Sequence, residues 1–372
     1  MAGAFGVAGG QAPRPTEAGS AHARLTVDTV RHEIVIEIAP IHVAGVGQGG
    51  GMDMPGMGGG TAGMGAMGAM AEITPRTVSI PVNGWLQGYA VDLLDSAGRS
   101  LPHRLIHHVN LLIPHQRDLF SQAMLRLGAV GSETPPVELP RVLGFRVRAG
   151  DSLAVTAMLH NESPAPVTNA RLVVRMRYVP ASTWFRPLSI YPIYLDVMPP
   201  AAVKAYDLPA GHSEKSWDAR PAVSGRILAV GAHLHKYATE IRLEDVTAHH
   251  VIWRAAPVVG RTGEPVDMPV RKYWWRLGIP VSVDHVYRLT AVYDNPTGHT
   301  IPDGAMGALG GVIYPDDAGA WPSVDSTSTV YRVDRDVTFR VDGDHADGRG
   351  AELPQGTPGR MLTHTASAPP TD

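Results

Sequence analysis

The sequence has no cysteine among its 372 residues. This absence excludes disulfide bonds, thiolate metal sites and cysteine nucleophiles, so any metal must be bound by histidine, methionine or carboxylate side chains. No apolar run reaches the roughly 20 residues that cross a bilayer as a helix. The opening MAGAFGVAGGQA also lacks the basic start and continuous apolar core of a signal peptide. We therefore predict no membrane partner.

An excess of charge of either sign is also missing. The 32 lysines and arginines nearly balance the 35 aspartates and glutamates, which leaves a formal net charge of -3. A chain with so weak a net field is not drawn to polyanions, so we predict no nucleic-acid partner. The nucleophile elbow, the phosphate-binding loop, the dinucleotide-binding motif and the zinc-protease helix are absent as well.

Glycine and proline, in contrast, are abundant, with 41 and 32 residues. They separate short apolar or alternating runs, and no long segment repeats with the helical period of 3.6, so we predict an all-β sandwich or barrel. The clearest runs are DSLAVTAMLH (151–160) and ARLVVRMRYV (170–179), which we predict to form a hairpin. In the second run Leu172, Val174, Met176 and Tyr178 share one face.

The pattern of strands predicts two domains of similar size, at residues 27–185 and 186–341. The composition outside these ranges predicts a disordered N-terminus (1–26) and a disordered tail (342–372). Inside the first domain, residues 48–71 form a loop of glycines and methionines that cannot pack as a core. Its thioethers suit Cu(I), which the loop could collect. An insert of low complexity without function explains the composition equally well.

The segment GAHLHKYATEIRLE holds two histidines, His233 and His235, on either side of one leucine. Side chains alternate between the two faces of a strand, so both imidazoles lie on one side and Leu234 on the other. Met306 lies in a glycine-rich turn further along the chain and offers a thioether. Two imidazoles and one thioether suit copper, above all a site that must stabilise both Cu(I) and Cu(II).

A second histidine pattern occurs in LPHRLIHHVNLLIP, where His107 and His108 are adjacent. Neighbouring residues of a regular strand face opposite ways, so a shared metal requires a β-bulge or a strand end at this point. His160 ends a later strand and could complete a set of three imidazoles. Without a bulge, one histidine of the pair is a core residue and the other faces solvent.

The order of these residues resembles the copper type II, ascorbate-dependent monooxygenases, the family of peptidylglycine alpha-hydroxylating monooxygenase and dopamine beta-monooxygenase. The resemblance covers about residues 75 to 315. It implies two tandem jelly-roll domains, each with one copper, that face each other across a solvent-filled cleft. The electron-transfer copper would be held by His107, His108 and His160, and the oxygen-activating copper by His233, His235 and Met306.

The resemblance also implies an activity. Ascorbate or another one-electron reductant would reduce both coppers, and O2 would serve to hydroxylate an unactivated C–H bond of a small-molecule or peptide substrate. It further implies an extracytoplasmic location. The chain differs from the animal enzymes in two ways, since it has no disulfides and it contains the methionine-rich loop. Both differences favour a bacterial branch. Two alternatives stay open, namely a copper-buffering protein on the same fold and a β-sandwich binding module whose histidines are incidental.

Overall fold

The computed structural model describes residues 21–46, 69–131, 136–200, 204–261, 263–274 and 278–339. Within these ranges the chain is built almost entirely from β-strands, with one α-helix, α1 (Thr329–Thr338). The first eleven strands are β1 (His22–Asp28), β2 (Glu33–Val43), β3 (Ala69–Ser79), β4 (Gly84–Leu94), β5 (Ile106–Arg117), β6 (Met124–Gly131), β7 (Val137–Glu138), β8 (Leu143–Val147), β9 (Ser152–Asn161), β10 (Val167–Pro180) and β11 (Leu188–Ser189).

The remaining strands belong to the second half of the chain. They are β12 (Tyr191–Asp196), β13 (Tyr206–Leu208), β14 (Gly211–Ala219), β15 (Gly225–Leu234), β16 (Ala238–Asp245), β17 (His250–Ala255), β18 (Val258–Val259), β19 (Pro265–Asp267), β20 (Arg271–Lys272), β21 (Ile279–Val281), β22 (Tyr287–Asn295), β23 (Ile301–Ala305) and β24 (Gly307–Pro315).

The first half forms a β-sandwich. One sheet has the order β1-β2-β10-β4-β8-β11, with β7 pairing with β4, and the other has the order β3-β9-β5-β6. Their inward-facing side chains form the first core, to which β2 contributes Ile36, β10 Val174 and β5 Leu111. The predicted alternation in β10 is confirmed, because Leu172, Val174, Met176 and Tyr178 are all buried in this core.

The hairpin predicted for β9 and β10 is wrong. β9 pairs with β3 and β5, whereas β10 pairs with β2 and β4 in the opposite sheet. The connection between the two strands therefore crosses from one sheet of the sandwich to the other. Both strands still bury one face in the first core, which is why their alternation alone did not reveal the crossing.

The second half forms another pair of sheets, in the orders β12-β24-β15-β20 and β14-β22-β16-β17. Its second core includes Ile193 of β12, Leu234 of β15 and Tyr293 of β22. The predicted all-β sandwich fold is thus confirmed. That the two sandwiches are tandem jelly rolls, and that they divide at residues 185 and 186, stay predictions.

The segment after β5 ties the two halves together. Leu119 and Phe120 leave the first sandwich and pack in the second core, and the Ala222 amide donates a hydrogen bond of 2.8 Å to the Leu119 carbonyl. Trp321 stacks on Tyr191 with ring centroids 4.0 Å apart, and both rings pack against both cores. The two sandwiches therefore share buried apolar surface.

The predicted ends of the first domain need correction. β1 begins at His22, inside the stretch predicted as disordered, because HARLTVD pairs with β2 along its whole length. Ala69, Met70 and Ala71, predicted as loop, belong to β3. Residues 1–20, 48–68 and 342–372 of the predicted terminus, loop and tail lie outside the described residues. In the described ranges, no helix is long and apolar enough to span a membrane.

Candidate metal centre

A β-bulge brings His107 and His108 to the same side of β5. Ile106 pairs with Leu159, and the next paired residue, His108, faces Met158, so His107 is an extra residue in the ladder. Ile106 and Val109 on either side of the pair stay in the first core. The Nδ1 atoms of His107 and His108 are 3.0 Å apart. From the sequence, a metal shared by the two histidines required a β-bulge or a strand end at this point, and the structure contains the bulge.

His160 extends this pair. It lies on β9, next to β5, and its ring centroid is 6.3 Å from that of His107. Leu159 is fully buried in the first core, so His160 projects from the opposite face of the sheet. The structure thus gathers His107, His108 and His160 on the outer face of the β3-β9-β5-β6 sheet. We call them the first histidine set.

The second predicted set lies at the end of β15. The ring centroids of His233 and His235 are 5.4 Å apart, while Leu234 between them is 3% exposed in the second core. Leu234 pairs with Gly307 of the antiparallel β24, so His235 and Met306 are the first residues beyond the end of this ladder, one on each strand. We call His233, His235 and Met306 the second set.

Tyr293 connects the two segments of the second set. Its hydroxyl accepts hydrogen bonds from the His235 amide at 3.0 Å and from the Met306 amide at 3.1 Å. It donates its own proton to the Met306 carbonyl in a short hydrogen bond. Tyr293 is 1% exposed, so a buried phenol on β22 fixes the backbone at both ligand positions.

Burial keeps two of the imidazoles unprotonated. It is the main cause that lowers the pKa of His108 to about 4, and the nearby His107 lowers this pKa further. The pKa of His235 is lowered first by burial and then by His233 and His107, although a hydrogen bond to the Asp303 backbone opposes these effects. Both rings therefore carry an available lone pair at neutral pH.

The influence of His107 on His235 also relates the two sets to each other. His107 belongs to the first sandwich and His235 follows β15 in the second, yet the charge of one acts on the other. β15 contacts the first sandwich elsewhere too, because its Leu228 packs with Leu143 and Ile190. The first histidine set and the second set therefore lie within electrostatic range of each other.

The side chains fit copper by their chemistry. Ring nitrogens 3.0 Å apart can share one ion, since a metal–imidazole bond is roughly 2.0 Å long. In the described part of the chain, however, no group of three or more His, Asp or Glu side chains is arranged so that it could hold a metal ion. Completing the first histidine set around one ion thus requires side-chain movement.

Sequence reasoning missed Tyr293 and the Asp303 backbone. Tyr293 lies in the run HVYRLTAVYD, where it alternates with other apolar residues, a pattern that predicts an ordinary core aromatic. Asp303 contributes through its main chain, and its positive φ of 49° is invisible in the sequence. Neither role has a sequence signal of its own, because both depend on which strands become neighbours.

Comparisons with known proteins give only a distant structural likeness. No protein-family model matches the chain, and no curated protein matches it. Among solved structures, PNGase F, a glycosylasparaginase from Flavobacterium meningosepticum, is similar over 77% of this chain and 96% of its own, with 9% identity and a TM-score of 0.37. The mavirus major capsid protein covers 82% of this chain and 88% of its own, with 8% identity and a TM-score of 0.17.

Proposed function

We propose that the protein is a dicopper monooxygenase that hydroxylates an unactivated C–H bond of a small-molecule or peptide substrate, with O2 and a one-electron reductant such as ascorbate. The observation that carries the proposal is the bulge at His107, which turns two adjacent histidines to one side of β5. A bulge next to a site re-aims a side chain, and it interrupts the ladder in doing so. Incidental surface histidines do not require it.

Copper bound to the two sets would supply the redox chemistry, since it would accept electrons from the reductant and pass them to O2. His107, His108 and His160 would hold the electron-transfer ion, and His233, His235 and Met306 the ion at which O2 reacts. The thioether of Met306 favours Cu(I), which is the oxidation state that reacts with O2.

The chain's own residues prepare both sets for binding. His108 and His235 stay neutral at physiological pH, so an incoming cation meets lone pairs rather than protons. Tyr293 and the Asp303 backbone hold His235 and the backbone of Met306 before any metal arrives. Such outer contacts orient a ligand and fix its tautomer.

The joint between the sandwiches supports electron transfer between the sets. His107 lies within electrostatic range of His235, and such proximity favours the passage of an electron from one set to the other. The packing of Leu119 and Phe120 in the second core holds the two sandwiches against each other. The sets would therefore keep their mutual distance during turnover.

Copper content and oxygen uptake test the proposal together. We expect two coppers per chain after reconstitution and desalting, one in His107→Ala and one in His233→Ala. Met306→Ala should keep two Cu(II) ions but bind the second Cu(I) at least about tenfold more weakly. Ascorbate should drive O2 consumption in the wild type, measured with an oxygen electrode, and in none of the three variants.

His249→Ala is the matched control, because His249 lies on an exposed turn between β16 and β17 and is outside both sets. It should keep both coppers and full oxygen uptake. Absence of tightly bound copper in the wild type would overturn the proposal. Two tight coppers with no oxygen uptake under any reductant would instead favour a copper-buffering protein.

A further inference from the structure

The outer face of the β3-β9-β5-β6 sheet carries two methionines beside the first histidine set. Met158 pairs with His108 of β5 on one side and with Glu72 of β3 on the other. Met70 pairs with His160. Residues directly opposite in an antiparallel ladder project from the same face, with Cβ atoms roughly 4.5–5.5 Å apart. Both thioethers therefore lie on the face that presents the imidazoles.

Met158 lies in the middle of the group. His108 is its neighbour across the strand pair, and His160 is two residues further along β9 on the same face. Met70 lies on the far side of His160, at the start of β3. Across the sheet, β3 thus carries the Met70 thioether, β9 carries His160 and Met158, and β5 carries the His107–His108 pair.

Neither methionine serves the usual purpose of this residue, which is to fill gaps in a core. Met176 and Met124 do so and are 1% and 0% exposed. Met70 is 46% exposed, and Met158 is half-buried on the outer face. Both are absent from the hydrophobic clusters that the described residues form. The Met70 side chain in particular gains little from burial at its position.

We infer that Met158 is a thioether ligand of the first histidine set, which thereby becomes a Cu(I) site, and that Met70, opposite His160, is a second and more exposed thioether donor. Thioethers are soft ligands that select Cu(I), and neutral imidazole accepts the same ion. The inference rests on the proposed function, since it assigns further ligands to the first of the two proposed coppers. Three histidines alone would have no such preference for Cu(I).

Affinities for the two oxidation states test the assignment. Competition with a chromophoric Cu(I) chelator should show that Met158→Leu weakens Cu(I) binding at the first set about tenfold, and Met70→Leu less so. Cu(II) affinity should change by less than about threefold in both, because the imidazoles remain. A substitution that only disturbed the fold would lower the Cu(I) and Cu(II) affinities by the same factor, which would contradict the assignment. Met176→Leu, a methionine of the first core, is the matched control and should change neither.

X-ray absorption of the Cu(I)-loaded protein detects sulfur ligands of the copper directly. In a Met306→Leu background the second set has no thioether, so copper–sulfur scattering would come from the first set. It should disappear when Met158→Leu and Met70→Leu are added. Sulfur scattering that persists, or unchanged Cu(I) affinity in a protein that binds two coppers, would overturn this inference alone. A wild type without bound copper would overturn the proposed function instead.

Discussion

At the scale of single residues, the second set depends on one hydroxyl. The Tyr293 phenol makes three hydrogen bonds, two with the backbone of Met306 and one with the amide of His235. It thereby holds together two segments whose contacting residues are 71 positions apart in the chain (306 − 235), and it does so without contributing a metal ligand. Outer contacts of this kind orient ligands without binding the metal themselves.

We therefore expect Tyr293→Phe to damage stability and metal binding together. The change leaves the amides of His235 and Met306 without their acceptor, which costs about 1–3 kcal/mol when the groups are buried. Urea unfolding of the metal-free protein measures this loss. Chelator competition should show Cu(I) bound about tenfold more weakly at the second set.

A neighbouring tyrosine provides the control. Tyr206 packs edge-on against Tyr293, and its buried hydroxyl has no hydrogen-bond partner among the described residues. Tyr206→Phe should be neutral or slightly stabilising, because it removes a buried polar group that gains nothing in the fold. If Tyr293→Phe behaves in the same way, the phenol does not position the second set.

At the scale of elements, the strands could be predicted but their partners could not. The alternation of apolar residues indicated β2 and β10, which bury one face in a core, and short apolar runs indicated β15 and β22, which are buried on both faces. The crossing from β9 to β10 was missed because a strand shows the same alternation whichever sheet it joins. The pairing of Met158 with His108 is likewise a matter of register between distant strands, which periodicity does not encode.

The helix α1 was missed for a different reason. Its inward face carries a carboxylate, Asp334, that is 3% exposed, so the apolar repeat of a packed helix is interrupted. Asp334 accepts a hydrogen bond from the Met124 amide at 2.8 Å and pairs with Arg126 at 2.9 Å. Tyr331 of the helix packs with Leu112 and Ala154. α1 thereby covers the end of the sheet remote from the first histidine set.

We expect Asp334→Ala to destabilise the protein by about 3 kcal/mol or more. The change leaves the largely buried Arg126 guanidinium unpaired and the Met124 amide without its acceptor, and a buried charge without a partner is costly. Thermal and urea unfolding measure the effect. Asp336→Ala on the same helix removes only an exposed pair with Arg335 and should change stability by less than about 1 kcal/mol. Equal losses in both variants would contradict the account.

At the scale of the whole molecule, each set is built within one sandwich, and the packing of the two sandwiches relates one set to the other. The sequence predicted the types of ligand and the position of His233 and His235 on one face of a strand. The closeness of His107 to His235 was not, since it depends on how Leu119 and Phe120 insert into the second core. Contacts between domains are set by a few long-range packing choices, and single-sequence patterns carry no trace of them.

Asp118 lies where the two sandwiches are joined, and it makes the stability of the protein depend on pH. It is 2% exposed and accepts hydrogen bonds from the amides of Phe120 at 2.9 Å and of Tyr194, on β12, at 3.2 Å. Burial raises its pKa from 3.8 to about 6, although these hydrogen bonds and the nearby Arg126 oppose the shift. The folded protein therefore retains a proton on Asp118 at pH values at which the unfolded chain has released it.

The sign of the effect follows from this difference in bound protons. The contribution of Asp118 is fully present below about pH 4 and is lost as the pH rises from about 4 to 6, by up to roughly 3 kcal/mol. Asp118→Asn cannot ionise, so the wild type should lose stability relative to this variant across that range and remain at a constant difference above it. Urea unfolding of both proteins between pH 4 and 7 measures the difference. Parallel stability curves for the two proteins would mean that Asp118 stays ionised in the fold and that the joint between the sandwiches tolerates a buried charge.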